Sequence, residues 1–323
     1  MPANLGEGCA LERVLDPRIV PLEVWDLPLD GEPSWRRIGT RAAESMREAG
    51  GPETAVAEEL ARRAVRLAEG IRRGETRRTH AATAFDALFL AGGLTEIDGF
   101  REAAASVPAA FPVLILPGGR FGPLAGARNI PGPGARGPGG FLAVDVGQTG
   151  IKASAANRAP EGGRYFPRPL REVPVVLVED AGGIGPGEAD RLAAASVEWV
   201  ASSIAAASSI PSVDRPEVVL ALPCGLGADL KPGPCTYAGW RDRADLVSRI
   251  ARTAIREASR GRMEIPAASA PSIGWRVLND AELAGFAALA EMERLGLEGK
   301  TLVLTLGFGP GAAIVARDVS EIL

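Results

Sequence analysis

Histidine and cysteine are scarce in this chain of 323 residues. It contains one histidine, His80, and three cysteines, Cys9, Cys224 and Cys235, which form no C-x-x-C pair. A histidine-based catalytic triad or metal site would lack its partners, and neither a disulfide framework nor a zinc knuckle is expected. If the chain is an enzyme, we therefore expect its general base to be a carboxylate, and we expect His80 in a loop or at a helix end.

Excess charge of one sign and long apolar runs are also missing. Lys and Arg total 36 against 40 Asp and Glu, which gives a net charge of -4 with no long run of either sign. This balance argues against an extended surface for nucleic acid or membrane. No apolar stretch reaches the roughly 18 residues that span a bilayer, and the first residues have no signal-peptide pattern. We therefore expect a cytoplasmic protein.

What the sequence does contain is enough apolar residues, 46% of the chain, for about two domains. One helix-type pattern repeats every three or four positions between Pro52 and about Arg73, at Val56, Leu60, Ala64, Leu67 and Ile71. Strand-type apolar runs alternate with such helical patterns along the chain, which predicts an α/β fold. The segment "PGPGARGPGG" at 131–140 cannot form regular structure, so it is either a linker or a long surface loop.

The stretch "VDVGQTGIK" has the composition of a loop that approaches phosphates. Asp145 ends an apolar strand, Gly147 permits a close turn, and Gln148 and Thr149 add polar side chains and backbone N–H groups. Lys152 adds a positive charge. A carboxylate in a phosphate loop implies a metal, because Mg²⁺ is held by carboxylates together with phosphate oxygens. An ordinary Asp-Gly hairpin would explain this motif equally well.

Two other glycine-rich turns follow apolar strands. In "LTLGFGPGAAI", Gly307, Gly309 and Gly311 alternate, which suits a hairpin tip that passes close to a phosphate chain or a tight hairpin with bulges. In "LFLAGGL", Gly92 and Gly93 suit either close approach to a nucleotide ring or a tight strand-to-helix turn. Each motif alone leaves both interpretations open.

The stretch "VLNDAELAGFAAL" delivers two polar residues, Asn279 and Asp280, from a buried strand to the start of a helix. Either residue is a natural helix cap at that point. The alternative is that Asp280 accepts the proton of a substrate hydroxyl, as an aspartate does in phosphoryl transfer.

Four segments together resemble the ROK family of sugar kinases, which belongs to the hexokinase and actin-like ATPase superfamily. They fall in the family's order and at about its spacing within residues 141–316: "LAVDVGQTGIKASAA", "LALPCGLGADLKPGPCTYAGW", "VLNDAELAGFAALAE" and "LVLTLGFGPGAAIVA". The resemblance implies a two-lobed α/β fold with ribonuclease H-like lobes. It also implies an ATP-dependent kinase that phosphorylates a hydroxyl of a monosaccharide, amino sugar or cyclitol.

The resemblance assigns roles to individual residues. It makes Asp280 the catalytic base and Asp145 a magnesium contact, either directly or through water. It places ATP and Mg²⁺ between two phosphate loops in a cleft, with the adenosine at Gly92 and Gly93. The residues of the two loops are Asp145, Gly147, Gln148, Thr149 and Lys152, and Gly307, Phe308, Gly309 and Gly311. The implied acceptor contacts are Asn279, Glu23, Pro223 and Gly225.

The order of the segments suggests a circular permutation. Segments that follow the second phosphate loop in ROK kinases resemble the front of this chain, including "LEVWDLPLDGEPSW", "DALFLAGGL" and "GPLAGARNI". The expected lobes are therefore 118–285, with the linker at 131–140, and 1–117 together with 286–323. Chain termini are often close in space, which makes such a rearrangement tolerable.

Several positions depart from the family pattern. Trp25 and Asp26 stand where the family has Gly and His, and Phe308 replaces a threonine. The usual cysteine cluster is absent, so no structural zinc is expected. Gln148 replaces a glycine, as it does in related sugar kinases. Two alternatives follow: a polyphosphate-dependent sugar kinase, or a non-catalytic nucleotide-binding sensor or assembly protein of the same fold. Related kinases are often dimers, so a homodimer is also expected.

Overall fold

The computed structural model describes residues 3–4, 9–74, 84–131, 141–155, 163–177, 184–208, 217–235, 237–260 and 273–322. The chain divides into two compact units. Unit 1 comprises Met1–Val14 with Ile130–Asn279, and unit 2 comprises Leu15–Asn129 with Asp280–Leu323. The chain thus passes from unit 1 into unit 2 after Val14, returns to unit 1 after Asn129, and enters unit 2 again at the peptide bond between Asn279 and Asp280.

Mixed α/β structure fills the described part of the chain. The strands are β1 (Ala3–Asn4), β2 (Cys9–Arg13), β3 (Ile19–Leu22), β4 (Pro28–Leu29), β5 (Glu32–Pro33), β6 (Ala87–Ala91), β7 (Val113–Ile115), β8 (Phe141–Val146), β9 (Gly150–Ala155), β10 (Arg164–Pro167), β11 (Glu217–Leu222), β12 (Cys224–Leu226), β13 (Pro232–Cys235), β14 (Ile273–Asn279), β15 (Lys300–Leu306) and β16 (Pro310–Ala316). The helices are α1 (Ser34–Arg37), α2 (Thr40–Glu48), α3 (Glu53–Arg72), α4 (Phe100–Ser106), α5 (Pro186–Ser208), α6 (Leu246–Arg260), α7 (Asp280–Leu295) and α8 (Val319–Ile322), with 3₁₀ segments at Gly93–Glu96 and Gly119–Asn129.

The main sheet of unit 1 has the strand order β1-β2-β14-β11-β8-β9-β10. Strands β8, β9 and β10 form an antiparallel meander. Strand β11 lies parallel to β8, β14 lies parallel to β11, and β2 lies parallel to β14. The carboxyl ends of β8, β11 and β14 therefore meet at one edge of this sheet.

The main sheet of unit 2 has the strand order β3-β16-β15-β6-β7. Strand β16 lies antiparallel to β15, and β3 lies antiparallel to β16. Strand β6 lies parallel to β15, and β7 lies parallel to β6. The strands β10-β9-β8-β11-β14 of unit 1 have this same arrangement of an antiparallel meander beside two parallel strands, and the unit 1 sheet continues beyond β14 with β2 and β1.

The two sheets differ in the order in which the chain visits them. In unit 1 the chain first makes β1 and β2, which have no counterpart in the unit 2 sheet; of the remaining five strands it makes the meander β8, β9 and β10 before the parallel strands β11 and β14. In unit 2 it makes the third meander strand, β3, then the parallel strands β6 and β7, and returns at the end to make β15 and β16. For the five strand positions that the two sheets share, the chain order of unit 2 is therefore a cyclic rotation of the chain order of unit 1.

Each sheet packs against helices through its own apolar core. The face of α3 that carries Val56, Leu60, Ala64 and Ile71 is fully buried with the strands of unit 2. In unit 1, the apolar faces of α5 and α6 pack on the main sheet. Burial of such helix faces supplies most of the stability of helices in globular proteins. It therefore fixes the positions of the strand ends that carry the candidate site residues.

Most sequence-predicted elements are present. The helix predicted from Pro52 to about Arg73 is α3, and the strands predicted around "VDVGQTGIK" and "LTLGFGPGAAI" are β8, β9, β15 and β16. The apolar residues of "REVPVVLVED" at 171–180 also predict a strand from the sequence, and this prediction is wrong within 171–177. There the backbone forms a turn and an isolated bridge from Leu177 to Tyr237, where Pro174 supplies no N–H group to a ladder.

The contact-defined units and the predicted lobes divide the chain at different residues. Residues 1–14 pack with unit 1, because β2 pairs with β14, and residues 118–129 pack with unit 2. The predictions for His80, and for the linker from 132 onwards, fall outside the described residues. No helix in the described ranges is both long enough and apolar enough to cross a membrane.

Candidate functional site

The carboxyl edge of the unit 1 sheet brings together most of the residues predicted there. Asp145 lies near the end of β8 and aligns with Ala221 of β11, while Asn279 ends β14 and aligns with Leu222. Pro223 directly follows Leu222. Three neighbouring parallel strands thus present a carboxylate, a proline turn and an amide at one edge, which is where ligands bind in open α/β sheets.

An ion pair and a backbone hydrogen bond hold the β8–β9 turn. The Nζ atom of Lys152 lies 2.6 Å from Oδ2 of Asp145, and the two residues are direct cross-strand partners. Both side chains are largely buried, at 18% and 7% exposure. The N–H of Gly147 donates to the carbonyl of Gly150 at 2.9 Å. Two of the residues predicted to organise metal and phosphates therefore bind each other.

The fit of this turn to a magnesium ion depends on phosphate oxygens. Among the residues that the structure describes, no three His, Cys, Asp or Glu side chains form a group that could hold a metal. Mg²⁺ is commonly held by one or two carboxylates together with substrate phosphates. The single carboxylate of Asp145 therefore fits an ion that arrives with a phosphate chain, and it does not constitute a metal site of its own.

Asn279 uses its amide to secure the strand ends. Its Nδ2 atom donates to the carbonyl oxygens of Leu222 at 3.3 Å and Cys224 at 2.9 Å, across the backbone of Pro223. Gly225 lies exposed in the short hairpin formed by β12 and β13. Of the residues predicted to hold an acceptor, Asn279 is thus tied to the backbone of the β11–β12 connection that contains Pro223.

Arg168 is a residue near this turn that the sequence analysis missed. Its backbone N–H donates to the carbonyl of Thr149 at 2.9 Å. Its guanidinium is buried between the rings of Trp199 and Tyr237, at 5.0 and 5.3 Å, and Nε donates to the carbonyl of Val173 at 2.7 Å. Burial lowers its pKa from the ordinary value, against a smaller opposing effect of Tyr237. The sequence "RPLRE" gave no sign of this role, because the contacting rings come from distant segments.

The unit 2 sheet also gathers predicted residues at a carboxyl edge. Gly92 follows β6 and Gly307 follows β15, and these two strands are parallel neighbours. Gly92 has a φ of 99°, and a Cβ atom there would lie 2.5 Å from the carbonyl oxygen of Leu306. Glycine is therefore required at this turn by the close approach of β15. Gly93 begins a 3₁₀ segment beside Arg120, which pairs with Glu96 at 2.6 Å.

The β15–β16 turn is packed by aromatic rings. The ring of Phe308 stacks on Trp25 with centroids 6.3 Å apart, and Trp25 stacks on Trp35 at 5.5 Å. The ring of Trp25 lies directly against Gly309, and the backbone carbonyl of Phe308 lies directly against Gly39. A side chain at either glycine would collide with its neighbour. The turn predicted to wrap phosphates is thus held by a three-ring stack.

Asp280 lies at the start of α7, where both interpretations of its role placed it. Its Oδ1 atom accepts a hydrogen bond from the N–H of Ala281 at 2.8 Å. A Cβ atom at Gly311 would lie 3.7 Å from that same oxygen and 2.5 Å from Oγ1 of Thr305. The absence of a side chain at Gly311 leaves the β15–β16 hairpin close to the carboxylate. Glu23, predicted as an acceptor contact, is exposed just after β3.

Comparisons of this chain with known protein families, with curated proteins and with solved structures found no match. The geometry within each unit therefore carries the functional argument. Unit 1 groups Asp145, Lys152, Pro223 and Asn279, and unit 2 groups Gly92, Gly307, Phe308, Gly309 and Asp280 with Gly311.

Proposed function

We propose that the chain is an ATP-dependent kinase of a monosaccharide, amino sugar or cyclitol, with Asp280 as the general base. The observation that supports this proposal best is the repeated placement of the predicted residues. In both sheets they lie at the carboxyl ends of parallel strands, although these strands come from distant stretches of the chain. Ligands of open α/β sheets bind outside such strand ends.

The strand arrangement supports the proposed fold. A two-lobed actin-like fold with ribonuclease H-like lobes consists of two lobes of one kind, and the two main sheets share one five-strand arrangement. We further propose that the chain is circularly permuted. The cyclic rotation of strand order in unit 2 supports this, since a chain read from β8 through β16 and then from β3 to β7 would build the five shared strand positions of both sheets in the same order; β1 and β2, which precede β3, extend the unit 1 sheet.

In the proposed reaction, the acceptor hydroxyl oxygen forms a bond to the γ-phosphorus of ATP while the bond from that phosphorus to the bridging oxygen of ADP breaks. The Asp280 carboxylate accepts the hydroxyl proton. Magnesium, when bound with the nucleotide, neutralises charge on the phosphates. Asn279, Glu23, Pro223 and Gly225 are proposed to orient the acceptor, and the glycine turns are proposed to contact the donor.

The test is ADP release with Mg²⁺ and ATP across a panel of sugars, amino sugars and cyclitols. We expect the substitution Asp280→Asn to lower acceptor-dependent turnover by about 10²–10⁴-fold, the usual contribution of a general base. Asparagine caps helices as well as aspartate does, so the fold is expected to be kept. Asp318→Asn, an exposed aspartate of the same unit, is the matched control. Full turnover in Asp280→Asn would sink the proposed mechanism.

A second candidate is a non-catalytic nucleotide-binding sensor or assembly protein. The aromatic packing of the Gly307–Gly309 turn favours this candidate, since a ring occupies the tip of a turn that would otherwise present a hydroxyl to phosphates. ATP binding without acceptor-dependent turnover, unchanged in Asp280→Asn, would favour the sensor over the kinase.

A further inference from the structure

The outer edge of the aromatic stack in unit 2 carries two exposed arginines, Arg36 on α1 and Arg41 on α2. The Cζ atom of Arg41 lies 4.8 Å from the ring centre of Phe308 and 6.0 Å from that of Trp35. The Cζ atom of Arg36 lies 5.0 Å from the ring centre of Trp35. Two guanidinium groups therefore lie on rings of the stack that covers the Gly307–Gly309 turn, and that of Arg41 lies on the ring of the turn itself.

These two arginines differ from several other arginines of unit 2 in their ion pairing with carboxylates of the described residues. Arg37 and Arg66 both pair with Asp30, Arg47 pairs with Glu53, and Arg63 pairs with Glu59. Within the described ranges, no ion pair involves Arg36 or Arg41. Arg36 and Arg41 thus differ from these paired arginines in contacting aromatic rings, and Arg41 contacts the ring of Phe308 in the turn itself.

A guanidinium that lies over a ring keeps its N–H groups available. The ring contacts the face of the cation, while the five N–H donors point outward from its edge in a rigid fork. That fork matches the oxygens of a phosphate and binds them in a bidentate way. The N–H of Thr40, next to Arg41, donates to the carbonyl of Gly307 at 2.9 Å, which ties α2 to the turn.

We propose that Arg36 and Arg41 bind a phosphate chain, with Phe308 and Trp35 serving as the platforms that orient them. The inference rests on the proposed function for its biological ligand, the phosphate donor. The inference also gives Phe308 a role: its ring, which stands where ROK kinases have a threonine hydroxyl, holds the guanidinium of Arg41 at the tip of the turn. The same chemistry suits the triphosphate of a nucleotide and an inorganic polyphosphate.

The experiment uses the full chain and measures binding of inorganic tripolyphosphate by calorimetry. We expect Arg41→Lys to weaken binding about tenfold and the double substitution Arg36→Lys/Arg41→Lys about a hundredfold, because lysine keeps the charge but loses the planar fork. Arg101→Lys, an exposed arginine on α4 of the same unit, is the matched control and is expected to bind like the wild type. Arg41→Gln serves as a second variant, and near-UV circular dichroism verifies folding of each protein.

The outcomes separate this inference from the proposed function. Unchanged affinity in Arg41→Lys and Arg41→Gln, or equal weakening in Arg101→Lys, overturns the inference even if the kinase reaction is found. Arg41-dependent binding without acceptor-dependent turnover supports the inference and contradicts the kinase. Affinity that rises with polyphosphate length identifies a polyphosphate ligand, whereas tighter binding of ATP than of tripolyphosphate identifies a nucleotide, and both results support the site.

Discussion

The β8–β9 hairpin of unit 1 and the β15–β16 hairpin of unit 2 occupy the same position in sheets of the same arrangement, yet different forces hold their turns. The β8–β9 turn is flanked by a buried ion pair between Asp145 and Lys152. The β15–β16 turn is covered by the stacked rings of Phe308, Trp25 and Trp35. One backbone frame thus accommodates either charge or aromatic packing at its tip.

The two hairpins also share a detail that makes the difference instructive. In each, an aromatic ring from the third meander strand or just beyond it lies against a hairpin glycine. Tyr165 of β10 lies on Gly150, and Trp25, which follows β3, lies on Gly309. Tyr165 is 37% exposed and donates from its hydroxyl to the carbonyl of Thr149 at 3.0 Å, whereas Trp25 is enclosed between two other rings. The ring on the hairpin glycine is therefore partly exposed to solvent in unit 1, whereas in unit 2 it is the middle ring of a stack.

The largest loss of stability is expected at Gly39, which lies against the backbone of the β15–β16 turn. Gly39→Ala forces a Cβ atom into the carbonyl of Phe308 at a φ of 150°, and we expect it to cost about 3 kcal/mol or more of the free energy of unfolding of unit 2. Gly150→Ala in unit 1 meets only the ring of Tyr165, which can move, so about 1 kcal/mol is expected. Hydrogen exchange of peptides from each unit in denaturant measures both values.

The control for this comparison is Gly307→Ala. In the described part of the chain, apart from the two residues bonded to Gly307, no heavy atom lies within 4 Å of a Cβ atom built there, so the effect is expected to stay within about 0.5 kcal/mol. Equal losses for Gly39→Ala and Gly307→Ala would show that backbone contact does not set the conformation of the turn.

The next effect compares the two covering rings. We expect Trp25→Ala to destabilise unit 2 by about 3 kcal/mol, because it removes the middle ring of a stack, and Tyr165→Ala to destabilise unit 1 by about 1 kcal/mol. The same exchange measurement reports each unit separately. Trp25→Phe, which keeps a ring, serves as the control and is expected to recover most of the loss. A larger loss for Tyr165→Ala than for Trp25→Ala would reverse the comparison.

The sequence predicted the frames of both hairpins but not what covers them. Apolar runs on either side of the glycine turns in "VDVGQTGIK" and "LTLGFGPGAAI" were sufficient to predict β8, β9, β15 and β16, because a short apolar run bounded by turn residues indicates a buried strand. The stack of Trp25 on Phe308 could not be predicted in this way, since its members are far apart along the chain and have no common periodicity. The Asp145–Lys152 pair was predicted in part. Both residues were identified as candidate site residues from the sequence, but the cross-strand register that pairs them was not predicted.

The smallest of these effects concerns the charged hairpin. Lys152→Met is expected to cost about 2 kcal/mol, because it leaves the buried Asp145 carboxylate without its cation. The matched control is Arg243→Met in the same unit, where the pair with Asp190 has the same 2.6 Å separation but Asp190 is 69% exposed, so about 0.5 kcal/mol is expected. A double-mutant cycle of Asp145→Asn with Lys152→Met isolates the pairwise contribution. The N–O distance is the same in the Lys152–Asp145 and Arg243–Asp190 pairs, but only Asp145 is buried. A coupling energy for Lys152–Asp145 no larger than that for Arg243–Asp190 would therefore mean that the ion pair does not hold the β8–β9 turn. The backbone bond from Gly147 to Gly150 and the ring of Tyr165 would then be left as its main constraints, and the two hairpins would be more alike than their side chains suggest.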